Sequence, residues 1–200
     1  MSSRKSQPTS QRRRRRARPA TVLRAAFLAL LLAAGPGPLA AASAQAIDAK
    51  VDAALERFHK EVKGAAEFLQ SAKGVLVFAG VIKAGIGVGG ERGEGALRIG
   101  GKTVDYYSIT SASIGLQLGA QKKDVILVFM ESRALDKFRE SEGWKAGVDG
   151  SVALIDIGVG KSIDTATVKS PIVGFVVGQK GLMYNLTLEG SKIHRLKKAK

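Results

Sequence analysis

Apolar residues recur at steps of three and four along 47–69, among them Ile47, Val51 and Phe58. This spacing keeps one stripe of a helix apolar, while the other positions carry mainly basic and acidic residues. Asp48 is placed to cap the first turn. The pattern predicts one long amphipathic helix. It is compatible with two roles: packing of the apolar stripe into the core, or attachment of the helix to a membrane surface.

From residue 74 the pattern changes, because glycines alternate with valine, isoleucine, leucine and aromatic residues. Twenty of the 24 glycines lie in 74–181. Such alternation is typical of β-strands, and glycine at this density within strands indicates strong curvature, bulges or close packing of the sheet. The predicted strands span 75–81, 84–89, 95–99, 103–111, 113–120, 125–130, 150–158, 172–178 and 182–188.

A short helix is predicted at 132–141, where "SRALDKFRES" places Leu135 and Phe138 on one side and Gly143 follows the end. Trp144, the only tryptophan, comes next. It is compatible with an anchor at a membrane interface or with a side chain that fills the core. Together the elements predict an α+β fold: a highly curved antiparallel β-sheet or barrel-like core, with the long N-terminal helix and one short helix packed against it.

The first 46 residues differ from the rest in composition. An arginine-rich stretch precedes an apolar run at 25–34, then "GPGP", then the small residues of "LAAASAQA". This order is that of a secretory signal peptide, and the apolar run is shorter than the roughly 20 residues of a transmembrane anchor. Cleavage is expected after Ala44 or Ala46, with Ala46 preferred because a helix can begin cleanly after it. The sequence predicts a signal peptide at 1–46, one domain at 47–200, and a periplasmic or envelope-associated location.

The formal net charge of +15 changes once this segment is set aside, because nine lysines and arginines and no acidic residue lie within 1–46. The rest of the chain carries an excess of six basic residues over acidic ones. This mildly basic balance suits an anionic membrane surface or an acidic partner, and it falls short of what nucleic-acid-binding domains show. No nucleic-acid partner is expected.

Candidate chemistry for an enzyme is weak. The chain has no cysteine, and His59 and His194 lie far apart, so no spacing typical of a metal site is present. Gly85, Gly87 and Gly90 satisfy G-x-G-x-x-G, but the glycines that follow are incompatible with the helix that must receive a pyrophosphate. The chain is therefore not expected to be an enzyme, and no catalytic residue, metal or cofactor is predicted. An unrecognised hydrolase, with a serine and a histidine brought together only by the fold, is one alternative.

Four segments in sequence order carry a family resemblance: "AKGVLVFAGVIKAGIGVGGERGEGALRIGG" at 72–101, "YYSITSASIGLQLGAQ" at 106–121, "LVFMESRALDKFRESEGWKAGVDGSVALIDIG" at 127–158 and "GFVVGQKGLMYNLTLEGSKI" at 174–193. Together they resemble the SYLF domain over nearly all of 47–200, although Ala79 stands where many members carry proline. The resemblance implies a lipid-binding module. Eukaryotic members bind phosphoinositide-containing membranes and some fungal members also engage actin. For an exported protein, actin binding and phosphoinositide specificity are not expected, whereas affinity for an anionic lipid surface is.

The expected function is therefore peripheral binding to anionic phospholipid surfaces. A structural or partner-binding envelope protein without a lipid ligand is the other alternative, and the sequence leaves the lipid and the oligomeric state open. A basic side chain near an anionic surface contributes roughly 1 kcal/mol, so several must act together. Basic residues near the predicted helix and the glycine-rich turns are the candidates for lipid contact: Lys60, Lys63, Lys73, Arg92, Arg98 and Lys102.

Overall fold

The computed structural model describes residues 42–155, 163, 169–180, 188 and 190–198. Most of the predicted signal peptide, and the strand predicted at 182–188 apart from its last residue, lie outside the described residues. Two helices open the described chain. Helix α1 spans Ala44–Glu61, and its first turn is capped by Ser43, whose hydroxyl oxygen accepts a hydrogen bond from the Ala46 amide at 3.2 Å.

The single long helix predicted at 47–69 is not confirmed. Helix α1 ends at Glu61, and a second helix, α2, spans Ala65–Gln70. Gly64 lies between them with a left-handed backbone at φ 85°, a conformation that disfavours any side chain. A Cβ at this position would also lie 2.6 Å from the Ile163 carbonyl oxygen. The helical spacing of apolar residues therefore continues past Gly64, although the backbone turns there and the helix is interrupted.

Both helices pack on one face of the sheet. The apolar stripe of α1 is buried, with Ile47, Val51 and Phe58 at most 2% exposed. Phe58 and Phe68 contact Phe175, with ring centroids 5.0 and 5.5 Å apart respectively. The stripe is thus occupied by core contacts, as the core-packing role requires.

The N-terminal half of α1 is held by hydrogen bonds from the sheet. The Thr103 and Tyr106 hydroxyls each donate to the Asp48 carboxylate at 2.8 Å. Burial, and next the bond to Asp48, raise the pKa of the Tyr106 hydroxyl, which keeps it a donor at neutral pH. Asp48 therefore fixes the helix to the sheet instead of capping its first turn.

Two long antiparallel strands form the largest part of the sheet. Strand β1 spans Gly74–Ile99, β2 spans Lys102–Phe129, and the two-residue turn Gly100–Gly101 joins them. The six shorter strands predicted between 75 and 130 are continuous parts of these two. Their predicted ends coincide in part with register shifts, at Phe78/Val81, Ile86/Val88 and Leu97/Arg98. Bulges of this kind bend strands without ending them.

The β1–β2 ribbon folds back on itself. A Cβ at Gly85 would overlap the backbone of Gly89, and a Cβ at Gly95 would overlap the carbonyl of Val77. The two arms of β1, before and after this bend, therefore approach more closely than side chains allow. The glycines permit both the bend and the close contact, which confirms the curvature and close packing inferred from their density.

The remaining elements are one helix and four short strands: α3 (Ser132–Glu140), β3 (Gly143–Lys145), β4 (Ala153–Ile155), β5 (Ile172–Lys180) and β6 (Lys192–Leu196). The strands extend the sheet on both sides of β2. The order is β3–β6–β2–β5–β4, with β1 also on β2, and the sheet is strongly curled. Every pairing among the described strands is antiparallel except β4–β5, which is parallel, so the prediction of a purely antiparallel sheet is wrong at that edge.

Helix α3 confirms the short helix predicted at 132–141. It covers the second face of the sheet with Leu135 and Phe138, which are 5% and 1% exposed. Phe138 contacts Trp144 edge to face, with ring centroids 5.7 Å apart. Trp144 is 3% exposed, so it fills the apolar core on this second face of the sheet and does not form a membrane anchor.

Candidate functional site

The six basic residues predicted to contact lipid do not form one cluster. Arg92 lies six residues from Arg98 along β1, a separation of about 20 Å in a strand. Lys63 and Lys73 are exposed in the connections that follow α1 and α2, and Lys102 is exposed at the start of β2. Their charges therefore reach the surface at more than one place, although Lys73, Arg98 and Lys102 lie in or next to segments that line one cavity.

Two of the six are neutralised by acids. Lys60 contacts Glu56 at 2.7 Å on the exposed side of α1, and this hydrogen bond lowers the pKa of the Glu56 carboxyl. Arg98 pairs with Asp52 at 2.6 Å. Neither residue offers an unopposed positive charge to a membrane.

A different surface stands out where the β1–β2 ribbon bends. We call residues 84–90 of β1 and 112–120 of β2 the ribbon corner; their sequences, "AGIGVGG" and "ASIGLQLGA", contain no charged residue. Val88 in the corner is 67% exposed and Ile82 beside it is 55% exposed. Across the described residues, Val148 is the one other large aliphatic side chain with comparable exposure.

The acidic side chains next to the ribbon corner point inward. Glu91 and Lys123 form a buried ion pair at 3.1 Å, with side chains 3% and 1% exposed. Asp124 is equally buried, pairs with Arg57 at 2.5 Å and accepts a hydrogen bond from the Gly80 amide at 2.7 Å. Both carboxylates are therefore shielded from solvent and balanced by a base.

The basic side chains on the outside remain exposed. Arg92 on β1 and Lys122 on β2 flank the corner and are both exposed. A shallow groove of about 300 Å³ continues from Lys122 past Ile82 to Lys50 and Arg57 on α1. Within the described part of its lining no acidic residue occurs. We call the ribbon corner, this groove and Arg92 the corner surface.

The backbone of the groove depends on one bulge. Gly80 has a left-handed φ of 68° at the register shift between Phe78 and Val81. Its amide is free of the strand ladder and donates to Asp124. The same carboxylate holds the Arg57 side chain, so Asp124 fixes α1 and β1 relative to each other beneath the groove.

The corner surface has the composition of a membrane-contacting surface. Exposed aliphatic side chains gain free energy when they leave water, and cations around them are attracted by anionic headgroups. Of the six predicted residues, Arg92 alone belongs to it. Sequence reasoning missed Lys50, Arg57, Ile82, Val88 and Lys122. The uncharged runs at 84–90, between Lys83 and Glu91, and at 106–121, between Asp105 and Lys122, were the available signal.

The described residues offer little for other chemistry. In that part of the chain no three His, Cys, Asp or Glu side chains are grouped as metal ligands. Gly85, Gly87 and Gly90 lie within β1, which runs on as a strand to Ile99, so the helix required of a dinucleotide fingerprint does not follow them. None of the helices that the structure describes is both long and apolar enough to cross a membrane.

Comparison with known families supports the resemblance seen in the motifs. Residues 110–200 match the family model described as "Ysc84: Las17-binding protein actin regulator". No curated protein matches the chain. The matched region begins within β2, and β2 pairs with β1 along its length, so the matched residues share one sheet with those that precede them. This match over residues 110–200 is consistent with a protein of the SYLF domain family, which is related to lipid binding or actin regulation.

Proposed function

We propose that this protein binds peripherally to anionic phospholipid surfaces and that the corner surface is its point of contact. The observation that carries the proposal is the sorting of charge around an uncharged, partly aliphatic corner. Glu91 and Asp124 are buried in ion pairs, whereas Arg92 and Lys122 are exposed. The match to a family related to lipid binding supports the same function.

The expected affinity is modest. Lys50, Arg92 and Lys122 contribute roughly 1 kcal/mol each near an anionic surface. Ile82 and Val88 are already partly covered, so each adds less than the roughly 1.5–3 kcal/mol of a fully buried aliphatic side chain. Since a Kd of 1 mM corresponds to about 4 kcal/mol and 1 μM to about 8 kcal/mol, binding is reversible and falls between these limits.

Export is the second part of the proposal. The arrangement of basic, apolar and small residues in 1–46 supports secretion. In a bacterial envelope the protein would meet phosphatidylglycerol and cardiolipin, and actin would not be a partner. The lipid surface proposed here needs only negative charge and accessible hydrocarbon, both of which these lipids supply.

Vesicle flotation tests the proposal. The purified, processed protein should float with vesicles of phosphatidylglycerol and cardiolipin and stay behind with phosphatidylcholine. Flotation should weaken between 0.01 M and 0.15 M salt, because the screening length falls from about 30 Å to about 8 Å. Absence of flotation with anionic vesicles at low salt would favour a protein partner for the corner surface.

A matched pair of variants locates the contact. Val88→Glu should reduce flotation at least tenfold, because it places an anion where the corner meets the lipid. Val148→Glu is the control, since Val148 is 69% exposed but belongs to the loop between β3 and β4 and not to the corner surface. Equal losses in the two variants would show that general surface charge, and not the corner, governs binding.

A further inference from the structure

A second feature lies away from the ribbon corner, where the start of β1 and the turn between β1 and β2 come together. A cavity of about 440 Å³ opens between α1, α2, the start of β1 and the turn that joins β1 to β2. Its volume lies within the roughly 300–1,000 Å³ of small-molecule sites. Most of its wall is apolar, with Leu55, Leu69, Ala72 and Val75 among the lining residues. This wall suits a hydrocarbon group.

The polar part of the described wall is formed by Arg98, His59 and Gln70, and Arg98 is its one permanently charged side chain. One terminal nitrogen, Nη1, donates to Asp52 at 2.6 Å. The Nε nitrogen is buried and has no hydrogen-bond partner among the residues that the structure describes. A buried donor without an acceptor is destabilising, so an anion that accepts from this edge of the guanidinium would be stabilised. Carboxylates accept from guanidinium groups in a two-bond, planar arrangement.

The electrostatic surroundings favour a single added anion. Asp52 already balances one positive charge, but its side chain is 64% exposed and therefore well screened. Lys73 lies between the lining residues Ala72 and Gly74, and Lys102 follows Gly101. Both lysines are exposed, and within the described residues neither has an ion-pair partner. They add positive charge to the segments that line the cavity.

The cavity lies far from the ribbon corner, so its ligand is expected to be a single molecule and not the surface of a bilayer. About ten residues of β1 separate Val75 from the corner, or up to about 30 Å of strand. A protein docked by its corner would hold the cavity well above the headgroups. We propose that the cavity binds one long-chain fatty acid, with the hydrocarbon along Leu55, Leu69 and Val75 and the carboxylate on Arg98. This goes beyond surface binding, because it gives the protein a site for a monomeric amphiphile.

Titration with oleate below its critical micelle concentration, followed by calorimetry, tests the site. The expected result is saturable binding with one oleate per chain. Ala66 lines the cavity and is exposed, so Ala66→Trp should fill the cavity without disturbing the core and weaken binding at least tenfold. Ala49→Trp is the control, because Ala49 is exposed on α1 and is not part of the cavity wall. Equal binding by the two variants would overturn the proposal.

A second variant tests the carboxylate contact on its own. Arg98→Gln should weaken oleate binding about tenfold and leave binding of methyl oleate, which lacks the charge, nearly unchanged. If both ligands lose affinity equally, Arg98 acts only by supporting the fold and the headgroup assignment is wrong. Tighter binding of a single-chain alkyl phosphate than of oleate would overturn the choice of carboxylate.

Vesicle binding at the corner surface and oleate binding in the cavity can be tested separately. Ala66→Trp should float with anionic vesicles as the parent protein does, and Val88→Glu should bind oleate as the parent does. Loss of oleate binding in Val88→Glu would mean that the cavity is not independent of the corner. Oleate binding without vesicle flotation would instead contradict the corner surface and leave the cavity assignment supported.

Discussion

At the scale of single residues, the glycines of β1 allow close contacts whose partners cannot be identified from the sequence pattern. The density of glycine predicted close packing, but which glycine touches which backbone depends on how the ribbon bends. Gly95 faces the Val77 carbonyl and Gly93 faces the Val81 side chain, eighteen and twelve positions earlier. Gly90, in the same strand, has more room, because a methyl group placed on it would have the Ser111 carbonyl oxygen, at 3.9 Å, as its nearest neighbour.

Replacing two of these glycines should therefore give opposite outcomes. Gly95→Ala should lower the free energy of unfolding by about 1–3 kcal/mol or more, because its methyl group overlaps a backbone atom that has little room to move. Gly90→Ala should stay within about 0.5 kcal/mol of the parent protein. Urea denaturation of both variants is the measurement. A loss in Gly95→Ala as small as that in Gly90→Ala would mean that the two arms of β1 are not in contact at Gly95.

Also at this scale, the Glu91–Lys123 pair makes a prediction about buried charge. Replacing one partner, as in Glu91→Leu, leaves the other charge buried and should cost about 3–5 kcal/mol. The double variant Glu91→Leu with Lys123→Met removes both charges and should be less destabilised than either single variant. Denaturation of the three variants checks this. Additive losses would show that the pair is solvated and not buried between the arms.

At the scale of elements, helices were predicted better in position than in extent. The apolar stripe of 47–69 predicted one long helix, which is not confirmed: the chain forms two helices, and Gly64 between them contacts Ile163, about a hundred residues away. Strands β3 and β6 were missed, since sequences such as "KIHRL" lack an apolar alternation and become strands by pairing with neighbours. The local pattern of apolar residues therefore predicts some elements, whereas others form only by pairing with neighbouring strands.

The start of α1 makes a prediction about processing. Ser43 caps the helix, and Ala44 is 6% exposed within the core. A chain that begins at Ile47, after the preferred cleavage site, lacks the cap and part of the first turn. It should be less stable than a chain that begins at Ser43 by about 1–2 kcal/mol. Thermal unfolding of the two forms measures this, and equal melting temperatures would show that residues 43–46 contribute nothing to the fold.

At the scale of the whole molecule, the sequence predicted a mildly basic lipid-binding domain but not the distribution of its charges. Net charge and family resemblance are properties of the chain, whereas the burial of Glu91 and Asp124 arises only when the ribbon bends and α1 packs across it. Arg92 was chosen from the sequence for its position near glycine-rich turns. Lys122 and Lys50 join it at the corner surface only through pairing of β1 with β2 and packing of α1.

A fluorescent probe at the ribbon corner shows whether this part of the protein enters a lipid layer. The chain contains no cysteine, so Val88→Cys and Val148→Cys each provide a single labelling site for an environment-sensitive dye. Addition of phosphatidylglycerol vesicles should shift the emission of the dye at residue 88 to shorter wavelength, because the dye enters an apolar layer, and should leave the dye at residue 148 unchanged. A shift at residue 148 without one at residue 88 would contradict docking through the corner surface.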